Sequence, residues 1–166
     1  ITMAKATTNG IVPMGVVAVR EKIYNEIMEA TPDGGIELFH GYTYSGIPVA
    51  VSAALAVQEI FEKEDIFNKV KSMSNYFQEG LHSLKDLDCI ESIRNYGLLG
   101  GIDIAMRDKP GKSGYQVYKE CYNAGLNLKP TGDALIIAPP FICEKKHLDE
   151  IFDKLRIGIK SFMKNS

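Results

Sequence analysis

Apolar residues recur at steps of three and four through Ile66, Val70, Met73, Phe77, Leu81 and Leu84. That spacing predicts one helix from Asp65 to about Leu84 with a single apolar stripe. The period returns in Leu148, Ile151, Phe152, Leu155, Ile159 and Phe162, which predicts a closing helix from Glu144 with this stripe inward. Between them, Cys89–Tyr96 and Gly101–Ala105 read as short strands, and the glycines of Gly97-Leu98-Leu99-Gly100 suit a hairpin or bulge. Tyr115, Tyr118, Cys121 and Tyr122 predict one face of a helix that Gly125 ends. Leu126–Leu128 and Ala134–Ala138 predict two more strands around Pro130-Thr131-Gly132-Asp133, the second stopped by Pro139-Pro140. The order is helix, two strands, helix, two strands, helix. It implies helices on one face of a short, mostly antiparallel sheet.

Before residue 64 the pattern differs. The β-branched run Val12–Val19 predicts a buried strand. Glu21–Glu29 suits a short helix with Ile23, Ile27 and Met28 on one face. Thr31-Pro32-Asp33-Gly34-Gly35 is a loop. Ser45, followed by Gly46-Ile47-Pro48, predicts a helix start with a hydroxyl cap. That helix runs to about Glu64, is rich in alanine, and is expected to be buried in its first half. The change of pattern places a domain boundary near residue 64, giving segments 1–64 and 65–166.

Composition narrows the classes. The chain of 166 residues is 45% hydrophobic and 24% charged, which fits a folded globular protein rather than a disordered one. A formal charge of −2 gives no reason to expect nucleic acid or an anionic membrane as partner. No apolar run approaches the ~20 residues that span a bilayer. Cys89, Cys121 and Cys143 show neither a CxxC pair nor metal-ligand spacing, so they read as reduced thiols of a cytoplasmic protein. His40, His82 and His147 do not cluster; His82 and His147 fall on helix faces that read as solvated.

Candidate chemistry concentrates in two stretches. The first is Thr2-Met3-Ala4-Lys5-Ala6-Thr7-Thr8-Asn9-Gly10, a single lysine among small and hydroxylated residues. Lysine as a type is usually a surface charge, and no phosphate-loop motif surrounds Lys5. A lysine ahead of a Gly-Pro loop and a buried strand, however, sits where a strand end meets a cavity. Partial desolvation there favours the neutral amine, the form that attacks carbonyls. The second stretch, Phe39-His40-Gly41-Tyr42-Thr43-Tyr44-Ser45-Gly46, has rings, hydroxyls and glycines but no charged side chain. It suits stacking on flat groups and hydrogen bonding to oxyanions. The chain opens on Ile1 with its candidate lysine only fifth, and reads as part of a longer protein.

Met3-Ala4-Lys5, Thr8-Asn9-Gly10 and Pro13-Met14-Gly15 resemble the lysine loop of class III pyridoxal-phosphate aminotransferases, in particular the ω-amino acid:pyruvate (β-alanine:pyruvate) subgroup. The likeness continues in His40-Gly41-Tyr42-Thr43-Tyr44-Ser45-Gly46 with Pro48-Val49-Ala50. It goes on through Ile93-Arg94-Asn95-Tyr96-Gly97-Leu98, Gly101-Ile102-Asp103, and Gly132-Asp133 with Pro139-Pro140. These anchors stand in family order along nearly the whole chain.

The resemblance implies an α/β fold: PLP-dependent transferase fold type I, with the C-terminal part of the large domain followed by the small C-terminal domain. It implies pyridoxal 5′-phosphate as cofactor, bound as a Schiff base to Lys5, which would also shuttle the proton. It implies that Tyr42 and Thr43 bind the cofactor phosphate of a neighbouring subunit, so that the protein is a homodimer or higher homo-oligomer. At Lys129 the family usually carries an arginine that holds the substrate carboxylate. Lysine keeps the charge but loses the two-point fork, which puts the amino donor and keto-acid acceptor in doubt. The aspartate for the pyridine nitrogen, the stacking ring and the main phosphate loop would all precede Lys5. The chain alone is therefore expected to bind cofactor poorly and not to transaminate. Alternatives left open are a non-catalytic segment acting only in folding and dimer association, and an aminomutase of the same fold.

Overall fold

The computed structural model describes residues 1–165, which form two compact units divided after Asp65. In the first, β1 (Thr2–Ala4) pairs antiparallel with β2 (Gly15–Val17), and α1 (Glu21–Glu29) and α2 (Pro48–Lys63) follow. The second carries α3 (Ile66–His82), a 3-10 turn over Ser83–Asp86, β3 (Ile90–Tyr96), β4 (Leu99–Ile104), α4 (Lys112–Asn123), β5 (Lys129–Thr131), β6 (Ala134–Ile137) and α5 (Lys145–Lys164).

The strands of the second unit make one antiparallel sheet in the order β3-β4-β6-β5. Successive side chains alternate between the two faces of a sheet. One face presents Ile93, Ile102, Ile104, Leu135 and Ile137, all buried. Helix α3 packs on β3, α4 on β4, β5 and β6, and both helices touch α5. Phe77, Leu81, Val117, Cys121, Leu148, Leu155 and Ile159 fill the layer between, each with no exposed surface. Burying a side chain of this size stabilises by roughly 1.5–3 kcal/mol.

Close approach between layers requires small residues at specific points. A Cβ on Gly100 would lie 2.5 Å from Leu81 Cδ2. One on Gly158 would lie 2.6 Å from Cys121 Sγ and 2.8 Å from Cys121 backbone, which cannot swing aside.

Several sequence expectations shift. The buried strand over Val12–Val19 shrinks to Gly15–Val17, and Val17 and Val19 are exposed. Its sheet has two strands among the described residues. Helix α2 begins at Pro48 with Ile47 as its uncapped N-cap. Gly46, at φ +71°, ends a turn that separates Ser45 from the helix. Only Ala50 and Val57 of α2 are buried, rather than its first half. The strand expected at Leu126–Leu128 lies instead at Lys129–Thr131, because pairing grows outward from the two-residue Gly132-Asp133 turn that sets its register. On α4, Cys121 parts from the tyrosines with which its spacing grouped it. Val117 and Cys121 point inward with Ser113 and Gly114. Tyr115 and Tyr122 are exposed and Tyr118 is half-buried against the core, with adjacent ring centroids about 6 Å apart. His82 is half-buried and bonds Asn95 Oδ1 at 3.0 Å rather than facing water.

Gly158→Ala should lower stability by about 1–3 kcal/mol through overpacking of α4 against α5. Chemical denaturation of the chain checks this, and an unchanged midpoint would contradict the packing.

Candidate active site

Lys5 is the first residue after β1, where the Ala4–Gly15 pair closes the small hairpin. Its carbonyl accepts N–H groups from Thr8 at 3.3 Å and Gly10 at 3.2 Å, so the chain coils back on itself there. Thr8, 1% exposed, donates its hydroxyl to the Val12 carbonyl at 2.6 Å and ties the loop down. The coil forces Lys5 into the left-handed region at φ +60°, with Asn9 at φ +51° and Gly10 at φ +76°. Asparagine and glycine tolerate that region; a lysine pays roughly 1–2 kcal/mol to occupy it. Backbone strain of this kind clusters where geometry serves chemistry. Two residues on, the Thr7 hydroxyl oxygen is buried with no hydrogen-bond partner, a rare condition in a folded protein. Lys5 itself is exposed. The desolvation read from its small neighbours is not supplied by this chain.

The second stretch forms its own loop before α2. The Ser45 N–H donates to the Tyr42 carbonyl at 3.0 Å, and the Tyr42 ring meets His40 edge-on at 4.7 Å. Thr43, Tyr44, Ser45 and Gly46, with Pro13 and Met14, help line a cavity of about 610 Å³. Among the described residues neither the Thr43 nor the Ser45 hydroxyl has a hydrogen-bond partner. The structure thus brings Thr43 to a cavity that also receives the end of the lysine loop. Lys5 and Tyr42 are not among its lining residues.

In the second unit, Lys129 opens β5 and is exposed. Cross-strand pairs run Arg94–Gly101, Gly101–Ile136 and Ile136–Lys129. Lys129 and Arg94 therefore share one row on the sheet face turned away from the core. Arg94 pairs with Asp103 on that face, and Ser92 donates to the same carboxylate. The Arg94 guanidinium, and then Ser92, hold the Asp103 carboxyl below the usual range.

Asp133 has a structural duty that the sequence reading did not assign. Its carboxylate accepts the Gly111 N–H at 2.7 Å and the Gly114 N–H at 3.0 Å. Those amides belong to the start of α4, and they hold the carboxyl below its usual range, Gly111 foremost. Gly114 must be glycine-sized, since a Cβ would lie 2.4 Å from the Gly132 carbonyl. The visible signal was a Gly-x-x-Gly spacing at a helix start with no Ser, Thr, Asp or Asn to cap it.

The cysteines are free, and burial pushes the Cys121 thiol up to about 12, which removes it as a nucleophile near neutral pH. Among the described residues no cluster of three metal-ligating side chains occurs.

Residues 1–158 match the family profile described as Aminotransferase class-III. The chain belongs to the class III aminotransferases. It is 40% identical over 157 residues to an omega-aminotransferase of Caulobacter vibrioides, covering 94% of this chain and 36% of that protein. It is 38% identical to an omega-amino acid–pyruvate aminotransferase of Pseudomonas putida, covering 91% and 34%. Among solved structures, the adenosylmethionine-8-amino-7-oxononanoate aminotransferase of Methanocaldococcus jannaschii superposes with a TM-score of 0.87 at 30% identity, over 96% of this chain and 38% of that one. A transaminase structure with L-alanine gives 0.93 at 24% identity over 99% and 40%, which speaks for the fold alone. The fold is that of fold-type-I transaminases. This class III chain spans little more than a third of the length of the curated relatives it matches.

Class III aminotransferases use pyridoxal phosphate, which needs an amine for its aldehyde and donors for its phosphate. The residues present fit both ends. Lys5 offers an exposed amine on a strained loop, and Thr43 and Ser45 offer unpartnered hydroxyls at a cavity.

Two outcomes follow from this geometry. Lys5→Asn should remove the amine yet raise stability by up to about 1 kcal/mol, because asparagine accepts the left-handed region; a thermal melt reads it. Asp133→Asn should weaken the start of α4 by on the order of 1 kcal/mol. The lowered carboxyl contributes fully above its unfolded value of about 3.9. That contribution is lost as pH falls through the lower folded value, so the variant's acid unfolding curve should be flatter than the parent's.

Proposed function

We propose that the protein transfers an amino group from an ω-amino acid or amine to pyruvate or a similar keto acid. Lys5 is its cofactor lysine. The observation that carries this reading is the strained, exposed Lys5 at the head of a tied-down loop, in a class III chain. Names of relatives support the substrate class: omega-amino acid–pyruvate and beta-alanine–pyruvate aminotransferases at 36–38% identity.

Pyridoxal phosphate, when bound, supplies the electron sink for the carbon that carries the amino group. Lys5 Nζ would hold the cofactor, and the same amine would hold and pass the proton. Thr43 Oγ1 would donate to its phosphate in a charge-assisted bond, and Tyr42 would help hold the same phosphate. Lys129 Nζ meets the substrate carboxylate as a point charge rather than a two-point fork. The Thr43-lined cavity excludes Lys5. That separation supports a homodimer in which the loop 39–46 serves the lysine of a second copy. We assign the protein to the cytoplasm as part of this reading, on its free cysteines; no described helix is long and apolar enough to cross a membrane.

Incubating the chain with excess pyridoxal phosphate, reducing with borohydride and mapping peptides should place the adduct on Lys5. Lys5→Ala should lose that adduct while the other lysines label at background. Adduct spread evenly over surface lysines would overturn the assignment of Lys5. The chain alone, given an ω-amine and pyruvate, should form no alanine over many turnovers, since none of its residues is assigned to the pyridine nitrogen. In a longer protein carrying this chain, nitrogen delivered to added pyruvate marks a transaminase, and rearrangement within one substrate marks a mutase.

A further inference from the structure

The second unit contains a basic cavity that the transamination reading does not use. Lys112, Gln116, Lys119 and Glu120 recur on one face of α4 at helical spacing. Arg107 and Asp108, from the connection after β4, complete most of a lining that encloses about 280 Å³. Phe162 of α5 closes one side, with the Arg107 guanidinium 5.0 Å above its ring centroid.

The charges in this cavity are unevenly satisfied. Asp108 is engaged by Lys112. Glu120 accepts the Ser161 hydroxyl at 2.7 Å. Lys119 Nζ lies over the Tyr115 ring, 5.4 Å from its centroid. Among the described residues neither Arg107 nor Lys119 has a carboxylate within ion-pair distance. Asp108 is thus neutralised by Lys112, Glu120 keeps its charge beside a neutral hydroxyl, and Arg107, Lys119 and Gln116 line the same cavity with no carboxylate paired to either cation among the described residues. The first-turn amides of α4 play no part, because Gly111 and Gly114 donate to Asp133.

We propose that this cavity binds a small phosphate-type oxyanion. A guanidinium resting over a ring, its central carbon 5.0 Å from the centroid, has its fork positioned from one side, which favours an anion offering two oxygens to one partner. Lys119 and Gln116 add donors from a second direction, and a tetrahedral oxyanion has oxygens for both where a carboxylate does not. The size points the same way. At about 280 Å³ the cavity falls below the ~300–1,000 Å³ usual for drug-sized ligands. It suits a phosphate with at most a short organic body. The serine at the start of α4 contributes shape rather than charge: Ser113, 1% exposed, accepts the Arg107 backbone N–H at 3.1 Å and fixes where Arg107 leaves the sheet.

The test titrates inorganic phosphate into the chain at constant ionic strength. Calorimetry gives the affinity, and NMR of the Arg107 side-chain Nε–H and the Gln116 amide gives the location. Saturable binding is expected, with shifts at those two groups and weaker binding of acetate. Lys119→Gln, at an exposed position, should weaken phosphate binding about tenfold, the equivalent of one charge-assisted hydrogen bond. Arg107→Gln should weaken it further. If that variant unfolds through loss of the Phe162 contact, Lys119→Gln still decides the question. Lys146→Gln, on α5 and outside the cavity, should leave binding unchanged. Shifts that track ionic strength without saturating, equal binding by acetate, or phosphate affinity unaffected by Lys119→Gln would each overturn the proposal.

Discussion

The second unit depends on covering one face of a single antiparallel sheet. Its four strands pair through β3-β4-β6-β5, and alternation sends Ile102, Ile104, Leu135 and Ile137 of the central strands to the same side. Three helices must then share that side, and they fit only because Gly80, Gly100 and Gly158 let ring, side chain and backbone come within van der Waals contact. The opposite face is left to function and to charge. Lys129, Arg94 and Asp103 lie there because they occupy the alternate positions of the strands whose other residues build the core. A one-residue slip in register would bury these charges and expose the aliphatic set. The turn at Gly132-Asp133 guards that register and, through Asp133, ties the same hairpin to the start of α4.

The first unit follows a different logic. Most of its large apolar side chains, including those of α1, are exposed, and the buried hydrophobic cluster lies wholly in the second unit. What order it has near Lys5 comes from hydrogen bonds: the Lys5 carbonyl taking two N–H groups, and Thr8 reaching Val12. Such a loop can hold a lysine in an unfavourable backbone region because the closure fixes it from both sides. That is a costly way to place a surface charge and a reasonable way to aim an amine.

Much of the second unit was legible along the chain because its signals were local and periodic. The stripe from Ile66 to Leu84 and the one from Leu148 to Phe162 each specify a helix and its inward face before any partner is known. The errors have a common cause. Tyr115, Tyr118 and Tyr122 share a helical spacing with Cys121, and spacing alone does not say which of them meets the core. Val117 and Cys121 won because small neighbours, Gly114 on α4 and Gly158 on α5, admit close backbone approach on their side. The short strand near Leu126 moved for a similar reason: hairpin pairing obeys the turn rather than the apolar run beside it.

The candidate site was legible as residue types in order, and its geometry was not. The sequence by itself determined the family, and it singled out Lys5, the hydroxyl-rich loop and Lys129. Each of these is a matter of which side chains stand at which intervals. Only the tertiary structure decided that Lys5 sits in a left-handed turn, that Thr43 faces a cavity lacking Lys5, and that Asp133 caps a helix. It alone set Arg107 and Lys119 around a common space. Those facts depend on hydrogen-bonded closure and on contacts between elements distant in the chain, which no local pattern encodes.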